Sequence, residues 1–468
     1  MTVTNPTAAA TSGEPPVLRP SPNRYLAGNF APVTEEVTAT DLAVTGTLPP
    51  ELNGRYLRIG PNPLGAQDPA AYHWFTGDGM AHGVRLRAGA ADWYRNRWIR
   101  STPVSEALGE APAPGPRHAN FDGANTNIIA IGGRTHAIVE AGGRPVELSD
   151  ELETVRHTDF EGTLPHGFTA HPKLDPATGE LHAMNYYWGR PNIIEYVVVG
   201  ADGKVRRTVD LPVPGSPMVH DMSLTEHFVV AYDLPVTFDL DAAMAGTRLP
   251  YSWNPDYGAR VGVLPREADA DAVRWFEVDP CFVYHPLNSY DDGDRIVLDV
   301  VRHPSMFETD KLGPNEGPPS LWRWTVDLSS GKVDETQLDD RAMEFPRVDE
   351  RVVGRPHRYG YTVSLAPKSD GISFDGSTVA KYDVVSGTSE SHDFGPGRAA
   401  GEAVFVPRDA DAAEDDGWVM AFVYDAATDR SDLMVLSAQD ITGDPVAVVH
   451  LPVRVPFGFH GNFIPDPA

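Results

Sequence analysis

The chain has 468 residues, a length that an all-β barrel or propeller reaches as a single domain. Its 66 acidic and 38 basic side chains leave a net charge of −28, which argues against binding to nucleic acid or to strongly anionic lipid. The only cysteine, Cys281, excludes an intrachain disulfide and suits a cytoplasmic protein.

Residues 1–23 are rich in Thr, Ala, Pro and Ser and show no apolar periodicity, so they are predicted to form a disordered N-terminal tail. The tail lacks the basic and apolar regions of a signal peptide. No stretch of about 18 apolar residues occurs in the chain, so no membrane-spanning helix is expected. We therefore expect a cytoplasmic protein with one folded domain over residues 24–468.

Short runs rich in Val, Ile, Tyr, Phe and Trp follow one another from residue 24 onward and are separated by turn signals. Three hairpin turns that contain glycine join such runs: DPATGEL, LSSGKV and VSGTSE. This pattern predicts an all-β fold and favours a β-propeller of four-stranded blades, with a pair of packed sheets as the alternative. The clearest predicted strands lie at 54–60, 125–142, 227–234, 294–301, 321–328, 378–385 and 418–425.

Two stretches interrupt the β pattern, at about 237–265 and 304–320, and both are predicted to be long excursions with short helices. Long inserts on a rigid scaffold usually serve as lids or as walls of a binding site. Leu249, Tyr251 and Trp253 in the first insert are expected to form an apolar patch suited to weak contact with a membrane surface.

Four of the 16 histidines share a local pattern, although the chain contains no short metal-binding motif. Each follows apolar or small residues, as at the end of a buried strand, and each precedes Pro, Asp or Gly, as at a turn. Their wide spacing suits ligands that converge from different blades on one axis, and it suits four unrelated histidines equally well. They are His171, His220, His285 and His460.

Other histidines lie in glycine-rich or polar surroundings and are interpreted as structural or surface residues. His166 is only five positions before His171, a spacing that rarely brings two rings to one ion on a strand or turn. The histidines interpreted in this way are His73, His82, His166, His227, His303, His357, His392 and His450.

Nine segments, taken together and in this order, resemble the carotenoid cleavage oxygenase family over about residues 24–466. That family includes bacterial apocarotenoid oxygenases, lignostilbene dioxygenases and the retinal-pigment isomerohydrolase. The segments are GRYLRIGPNP (54–63), HWFTGDGMAHGVRL (73–86), ANTN (124–127), AHPKLDPATGEL (170–181), VHDMSLTEHFVVAYD (219–233), VYHPLNSYDDGD (283–294), EFPRVD (344–349), GEAVFVP (401–407) and FHGNF (459–463).

The resemblance implies a seven-bladed β-propeller with a small helical and loop dome over one face. It implies one Fe(II) per chain; imidazole ligands would also suit zinc or copper, so the choice of iron rests on the resemblance. Thr126 in ANTN matches a position whose side chain crowds one open site on the iron. The implied metal ligands are His171, His220, His285 and His460, and the glutamates implied to orient their rings are Glu140, Glu344 and Glu402.

The resemblance also implies a non-haem Fe(II) dioxygenase that cleaves a conjugated C=C bond with O2 and releases two carbonyl products. Hydroxystilbene-cleaving members carry a lysine just before the first glutamate, whereas this chain has Val139 there, which favours an apocarotenoid substrate. A stilbene-cleaving dioxygenase is the alternative. An iron-dependent isomerase on the same fold and a non-enzymatic scaffold are the less favoured interpretations.

Overall fold

The fold is a ring of antiparallel sheets, which confirms the predicted all-β propeller and excludes the sandwich. The computed structural model describes residues 23–118, 122–368 and 371–466. Within those residues seven sheets contain four or more strands, and together they form a seven-bladed β-propeller. The predicted tail lies outside the described residues except for Asn23, which is buried and donates hydrogen bonds from Nδ2 to the carbonyl oxygens of Pro69 and Tyr72.

Blades 2 to 6 each consist of four strands that follow one another in the chain. Blade 2 contains Asn127–Ile131, Arg134–Ile138, Val146–Leu148 and Thr154–His157. Blade 3 contains Lys173–Leu174, Leu181–Asn185, Ile193–Val199 and Val205–Pro212. Blade 4 contains Met222–Leu224, Phe228–Asp233, Arg260–Pro265 and Arg274–Glu277. Blade 5 contains Phe282–Asp292, Arg295–His303, Ser320–Asp327 and Lys332–Asp339, and blade 6 contains Met343–Arg347, Tyr359–Ser364, Thr378–Asp383 and Thr388–Asp393.

Blades 1 and 7 close the ring because each borrows a strand from the opposite end of the chain. Gly461–Pro465 pairs with Gly54–Pro61 in blade 1, and Val44–Gly46 pairs with Ala447–His450 in blade 7. These two pairings hold both ends of the chain in the sheets on either side of the seam and so close the ring. The other strands of blade 1 are Thr38–Thr40, Gly79–Arg87 and Ala90–Trp98, and those of blade 7 are Arg398–Ala400, Val404–Pro407, Gly417–Asp425 and Arg430–Ser437.

All three predicted hairpin turns are confirmed, and each has its glycine in the left-handed region. Gly179, Gly331 and Gly387 have φ angles of 72°, 76° and 70°, which side chains with a Cβ adopt only at a cost. Adjacent blades pack through apolar side chains that alternate along the strands, and this packing forms the core between the blades. The first strands of blades 3 to 6 contact one another in succession, and the first strand of blade 2 contacts Gly54–Pro61 and Gly461–Pro465 of blade 1, so these strands surround the axis.

The dome differs in detail from the prediction because it is built mainly of ribbons and loops. In the described residues the two α-helices are Thr102–Leu108 and Leu240–Met244, and the insert 304–320 contains none. The first insert ends earlier than predicted, since Arg260–Pro265 is a paired strand of blade 4. Two ribbons that the sequence did not reveal complete the dome: Val236–Phe238 with Tyr251–Trp253, and Ala366–Lys368 with Gly371–Ser373.

Short 3-10 helices occur between the strands and at the start of the described chain. They are Arg24–Leu26, Gly28–Phe30, Trp74–Thr76, Ala270–Ala272 and Glu350–Val352. No helix of the described residues is long and apolar enough to cross a membrane.

Candidate metal centre

The four predicted histidines lie where the innermost strands of blades 3, 4, 5 and 1 begin. His171 and His220 each precede their strand by two residues, and His460 precedes Gly461–Pro465 directly. His285 lies inside Phe282–Asp292, where the pairing shifts register between Val283 and Pro286. The predicted placement at strand ends is therefore wrong for His171, His220 and His460, which lie just before their strands, whereas His285 lies inside its strand.

The four rings form one buried cluster on the propeller axis. One candidate ligand atom from each ring lies within 4.8 Å of the others. The Nε2 atoms of His220 and His285 are 3.2 Å apart, and the exposed fractions of the four residues are between 4 and 8%. Four imidazoles at this spacing leave room for one ion and no protein atom between them.

Each of the three predicted glutamates accepts a hydrogen bond from one ring. The distances from Nδ1 to the carboxylate are 2.8 Å for His220 and Glu140, 2.6 Å for His285 and Glu344, and 2.9 Å for His460 and Glu402. A carboxylate on Nδ1 holds the proton there, so that the lone pair of each ring is on Nε2 and directed at the cluster.

His171 is held differently from the other three rings. The nearest carboxylate oxygen, Oδ2 of Asp221, is 3.8 Å from its Nδ1 and instead lies 2.8 Å from Nζ of Lys173. The Nε2 atom of His171 is buried and has no hydrogen-bond partner. An unpartnered imidazole nitrogen in a buried site is costly unless a cation or a donor occupies the space in front of it.

The surroundings shift the pKa values of three of the rings: those of His171 and His460 are lowered, and that of His220 is raised. Burial and the three neighbouring imidazoles hold the pKa of His171 well below its usual range. Burial also lowers the pKa of His460 to about 3, although Glu402 opposes this. Burial lowers the pKa of His220 as well, but Glu140 outweighs it and the net shift is upward. Neutral rings are the metal-binding form, and this donor set fits a first-row transition metal such as iron, zinc or copper.

Two further side chains that sequence reasoning missed complete the support of the site. His303, which was interpreted as a structural or surface residue, is buried and donates from Nε2 to Glu344 Oε1 over 2.8 Å. Its position after the apolar run DRIVLDVVR was the available signal. Arg347 lies 3.2 Å from Glu402, and it and the backbone N–H of Gly461 hold that carboxylate in place.

The pKa values of Glu344 and Glu402 are lowered despite the burial of both carboxylates. Burial raises the pKa of Glu344, but His285 and His303 outweigh it and bring that pKa well below its usual range. Burial likewise opposes ionisation of Glu402, whose pKa Arg347 and His460 nevertheless lower to about 2. Phe345, directly after Glu344, has a φ angle of 54°, a strained backbone conformation of the kind that often accompanies functional sites.

The other histidines that we predicted to be structural or surface residues include both kinds. His227 and His450 are ion-paired near the surface, as expected. His357 is buried beside Asp299 and is a structural residue. His73 and His82 are also buried, and they have their own hydrogen-bond partners away from the four rings.

A cavity of about 530 Å³ lies between the four rings and the dome, and we call it the dome cavity. Its walls are mostly aromatic and aliphatic, and His220, His285 and His460 form part of its floor. Its apolar walls include Trp74, Phe75, Phe238, Leu249, Phe374 and Phe459. A cavity of this size and character suits an apolar small molecule held directly against the ring cluster.

Thr126 is buried and lines the dome cavity beside the rings. Its hydroxyl donates to Asn125 Oδ1 over 2.8 Å, and its carbonyl oxygen accepts from the backbone N–H of His460 over 3.1 Å. The first bond fixes the Thr126 side chain, and the second holds the Thr126 backbone beside that of His460. Val139 also lines this cavity, directly before Glu140.

The expected apolar surface patch is corrected by the structure. Tyr251 is buried and lines the dome cavity, while Leu249 and Trp253 are only partly exposed because they pack on the core. The exposed apolar side chains of this insert are instead Leu240 and Met244 on the short helix, with exposed fractions of 65% and 81%.

A second cavity, of about 310 Å³, follows the inner strands away from the dome, and we call it the axial cavity. His285 and His460 line both cavities, His220 lines the dome cavity, and His171 lines the axial cavity. Polar and charged side chains are frequent in its walls, among them Lys173, Asp221, Ser223, Asn288, Arg347 and Asn462.

Comparison with known proteins places this architecture among oxygenases. The sequence profile described as retinal pigment epithelial membrane protein, RPE65, matches residues 30–465. A carotenoid cleavage oxygenase of Mycobacterium tuberculosis is 48% identical, over 95% of this chain and 98% of that protein. The crystal structure of Pseudomonas brassicacearum lignostilbene dioxygenase has a TM-score of 0.85 at 29% identity and covers 95% of this chain and 99% of its own. Cobalt-substituted Synechocystis apocarotenoid oxygenase has a TM-score of 0.83 at 29% identity, with 93% and 97% covered.

Proposed function

Since this chain belongs to the RPE65 and carotenoid cleavage oxygenase family and is an oxygenase, we propose that it uses a ferrous ion on His171, His220, His285 and His460 to cleave a conjugated carbon–carbon double bond with O2. Both oxygen atoms enter the products, the double bond breaks, and each of its carbons becomes a carbonyl carbon. No external reductant is consumed, because O2 takes up the four electrons that the double bond gives up.

The observation that carries this proposal is the contact between an apolar cavity and a cluster of four imidazoles. Three of the rings form part of the floor of the dome cavity, so a molecule in the cavity lies beside the space that the rings enclose. Iron held by four neutral imidazoles would keep its full charge and open positions at which O2 and substrate can react. The protein's own part is to hold the rings, to orient the substrate and to exclude water.

Aromatic side chains perform the orientation. Trp74 and Phe459 have ring centroids 4.5 Å apart, and Phe75 packs edge-on against Phe459 at 5.6 Å, so three rings form one rigid wall. A rigid aromatic wall favours an extended conjugated molecule over a flexible one, because the conjugated molecule loses little conformational freedom on binding. The wall leaves the double bond over the rings while the remainder of the molecule lies under the dome.

We favour an apocarotenoid as the substrate, with a stilbene as the second candidate. Val139 gives an apolar surface directly before Glu140, where a phenol-binding lysine would stand in a hydroxystilbene-cleaving member. The similarity to the Mycobacterium carotenoid cleavage oxygenase supports the first candidate, and the fold of lignostilbene dioxygenase supports the second. An isomerase on this site and a non-enzymatic scaffold are the remaining alternatives.

Replacing Val139 by lysine should shift the preference from apocarotenoid to hydroxystilbene. Val139 is 6% exposed, so the ammonium would be buried unless a phenol or Glu140 pairs with it. We expect kcat/KM for an apocarotenal to fall by roughly tenfold, and that for a hydroxystilbene to rise relative to it. Val139→Met is the control of similar length without charge. An unchanged ratio of the two kcat/KM values would show that this position does not select the substrate.

We propose that Thr126 restricts small molecules to one open position on the iron by its shape. Thr126→Ala should therefore admit a second ligand, visible as a heterogeneous electron paramagnetic resonance signal of the anaerobic nitric oxide adduct. Thr126→Val keeps the shape and removes the hydrogen bond to Asn125, at a cost of about 1 kcal/mol in stability, and should leave the signal homogeneous. A homogeneous signal from the alanine variant would rule out this role.

Anaerobic loading with Fe(II), followed by incubation with apocarotenals and hydroxystilbenes under ¹⁸O2, tests the proposed function. We expect one iron per chain and two carbonyl products, each carrying one ¹⁸O before exchange with water. An isomerase would give a product of unchanged mass without ¹⁸O. A scaffold would bind no stoichiometric iron, and either result would overturn the dioxygenase.

Weak contact with a membrane surface is proposed through Leu240 and Met244 near the dome cavity. The net charge of −28 disfavours anionic lipid, so contact is expected with neutral phosphatidylcholine vesicles. The double variant Leu240→Ser, Met244→Ser should sediment with such vesicles less than the native chain does. Equal sedimentation of both proteins would show that the helix Leu240–Met244 does not contact the membrane surface.

A further inference from the structure

The ring cluster separates two cavities of opposite character. The dome cavity reaches it from one side between aromatic walls, and the axial cavity reaches it from the other side along the inner strands. His285 and His460 border both spaces, whereas His171 borders the axial cavity. An ion at the cluster can therefore be approached by two routes that have no other wall in common.

The two routes differ in what they offer to a hydrated dication. In the dome cavity an ion would exchange its water shell for aromatic rings, which do not replace the lost hydration. In the axial cavity it meets carboxylate, amide and hydroxyl oxygens, including Asp221, Glu350 and Asn288. Oxygen ligands replace water one at a time, so the axial route avoids a fully dehydrated ion.

His171, the ring that borders the axial cavity and not the dome cavity, is also the ring with the weakest support. His171 lacks the short carboxylate hydrogen bond that each of the other three rings has, because Lys173 draws Asp221 to 2.8 Å and leaves it 3.8 Å from the ring. Lys173 and Asp221 both line the axial cavity. A ring without a short bond on Nδ1 can turn aside more readily than its neighbours.

We propose that the metal ion enters and leaves through the axial cavity, past the Lys173–Asp221 pair and the His171 ring, while substrate uses the dome cavity. On entry the ion first binds the carboxylate of Asp221. The His171 ring then turns back and becomes the fourth ligand. This inference rests on the proposed metal centre. The axial cavity then has a function of its own. Metal exchange and substrate binding use different cavities and do not compete.

Two tryptophan variants, one at each mouth, test the proposal. Ala130 is an exposed residue of the axial cavity, and Thr247 is an exposed residue of the dome cavity. Uptake of Co(II) by the metal-free full-length protein is followed by stopped-flow absorption. Ala130→Trp should slow uptake and chelator-driven release by at least about tenfold, and Thr247→Trp should leave both rates unchanged. The reverse pattern, or unchanged rates in both variants, would overturn the proposal.

Filling the dome cavity provides a test without mutation. A polyene aldehyde added under nitrogen occupies the cavity without being cleaved, and quenching of tryptophan fluorescence reports its binding. We expect Co(II) uptake by the native protein to change less than about twofold when this ligand is saturating. Strong inhibition of uptake would show that ion and substrate share the dome cavity.

The ion pair is tested by its own variants. Lys173→Met removes an ammonium that repels the passing dication and should accelerate uptake and release by roughly fivefold, while Lys173→Arg keeps the charge and the pair and should behave like the native protein. An unchanged rate in the methionine variant would overturn the role of the pair. A protein that binds no cobalt at all would instead refute the metal centre, so the two failures are distinguishable.

Discussion

Replacing His285 by alanine should abolish iron binding and double-bond cleavage together. This ring borders both cavities, and its Nε2 lies 3.2 Å from that of His220. Its loss removes one of four donors and also removes a hydrogen bond that Glu344 accepts over 2.6 Å. We expect iron content below a tenth of the native value and activity lower by at least about a thousandfold, since the metal contributes several kcal/mol to catalysis.

His136→Ala is the matched control for this prediction. His136 is also buried, with an exposed fraction of 4%, but it lies in blade 2 and bonds the carbonyl oxygen of Arg134 instead of facing the cluster. That variant should lose some stability and retain iron and activity per folded chain. Full turnover with iron bound in the His285 variant would show that the reaction does not depend on this ring.

Replacing Glu344 by glutamine should weaken iron binding by about 10- to 100-fold while leaving all four rings in place. Glu344 accepts from His285, from His303 and from the backbone N–H of Phe345, all as a buried carboxylate. A glutamine presents one oxygen and one NH2 group, so one of the two histidines meets a donor where it needs an acceptor. The site therefore loses orientation of His285 and about 2 kcal/mol of stability.

Glu195→Gln separates this effect from the general cost of losing a buried carboxylate. Glu195 has an exposed fraction of 2% and accepts from His166 over 2.8 Å and from Asn185 over 3.0 Å, away from the cluster. Both variants should unfold at lower temperature, and only the Glu344 variant should release iron to a competing chelator at a lower chelator concentration. Equal iron affinity in the two variants would mean that Glu344 does not orient the ligand ring.

The strands were predictable because their signals are local. The run DRIVLDVV and the turn LSSGKV specify two strands and a left-handed glycine from neighbours alone, and the structure has Arg295–His303 and the turn before Lys332 at those positions. The exchange of terminal strands between blades 1 and 7 was not predictable in this way. It depends on pairing between Val44–Gly46 and Ala447–His450, which are almost the whole chain apart.

In the candidate site, too, some features were predictable from the sequence and others depend on contacts between distant residues. The four rings and three glutamates were implied by the resemblance, and the structure brings all seven together. His303 was missed because its partner, Glu344, lies on another blade, and because its charged neighbour Arg302 was given more weight than the apolar run that precedes it. The sequence also could not show that Asp221 pairs with Lys173 instead of bonding His171, because this depends on where the Lys173 ammonium lies in space.

The most direct test of the metal centre is an anomalous difference map from crystals of the iron-loaded protein, recorded on both sides of the iron absorption edge. We expect one strong peak per chain, and we expect it only above the edge. The peak should lie between the Nε2 atoms of His171, His220, His285 and His460. A peak elsewhere, or a density at the four rings with no iron signal, would contradict it.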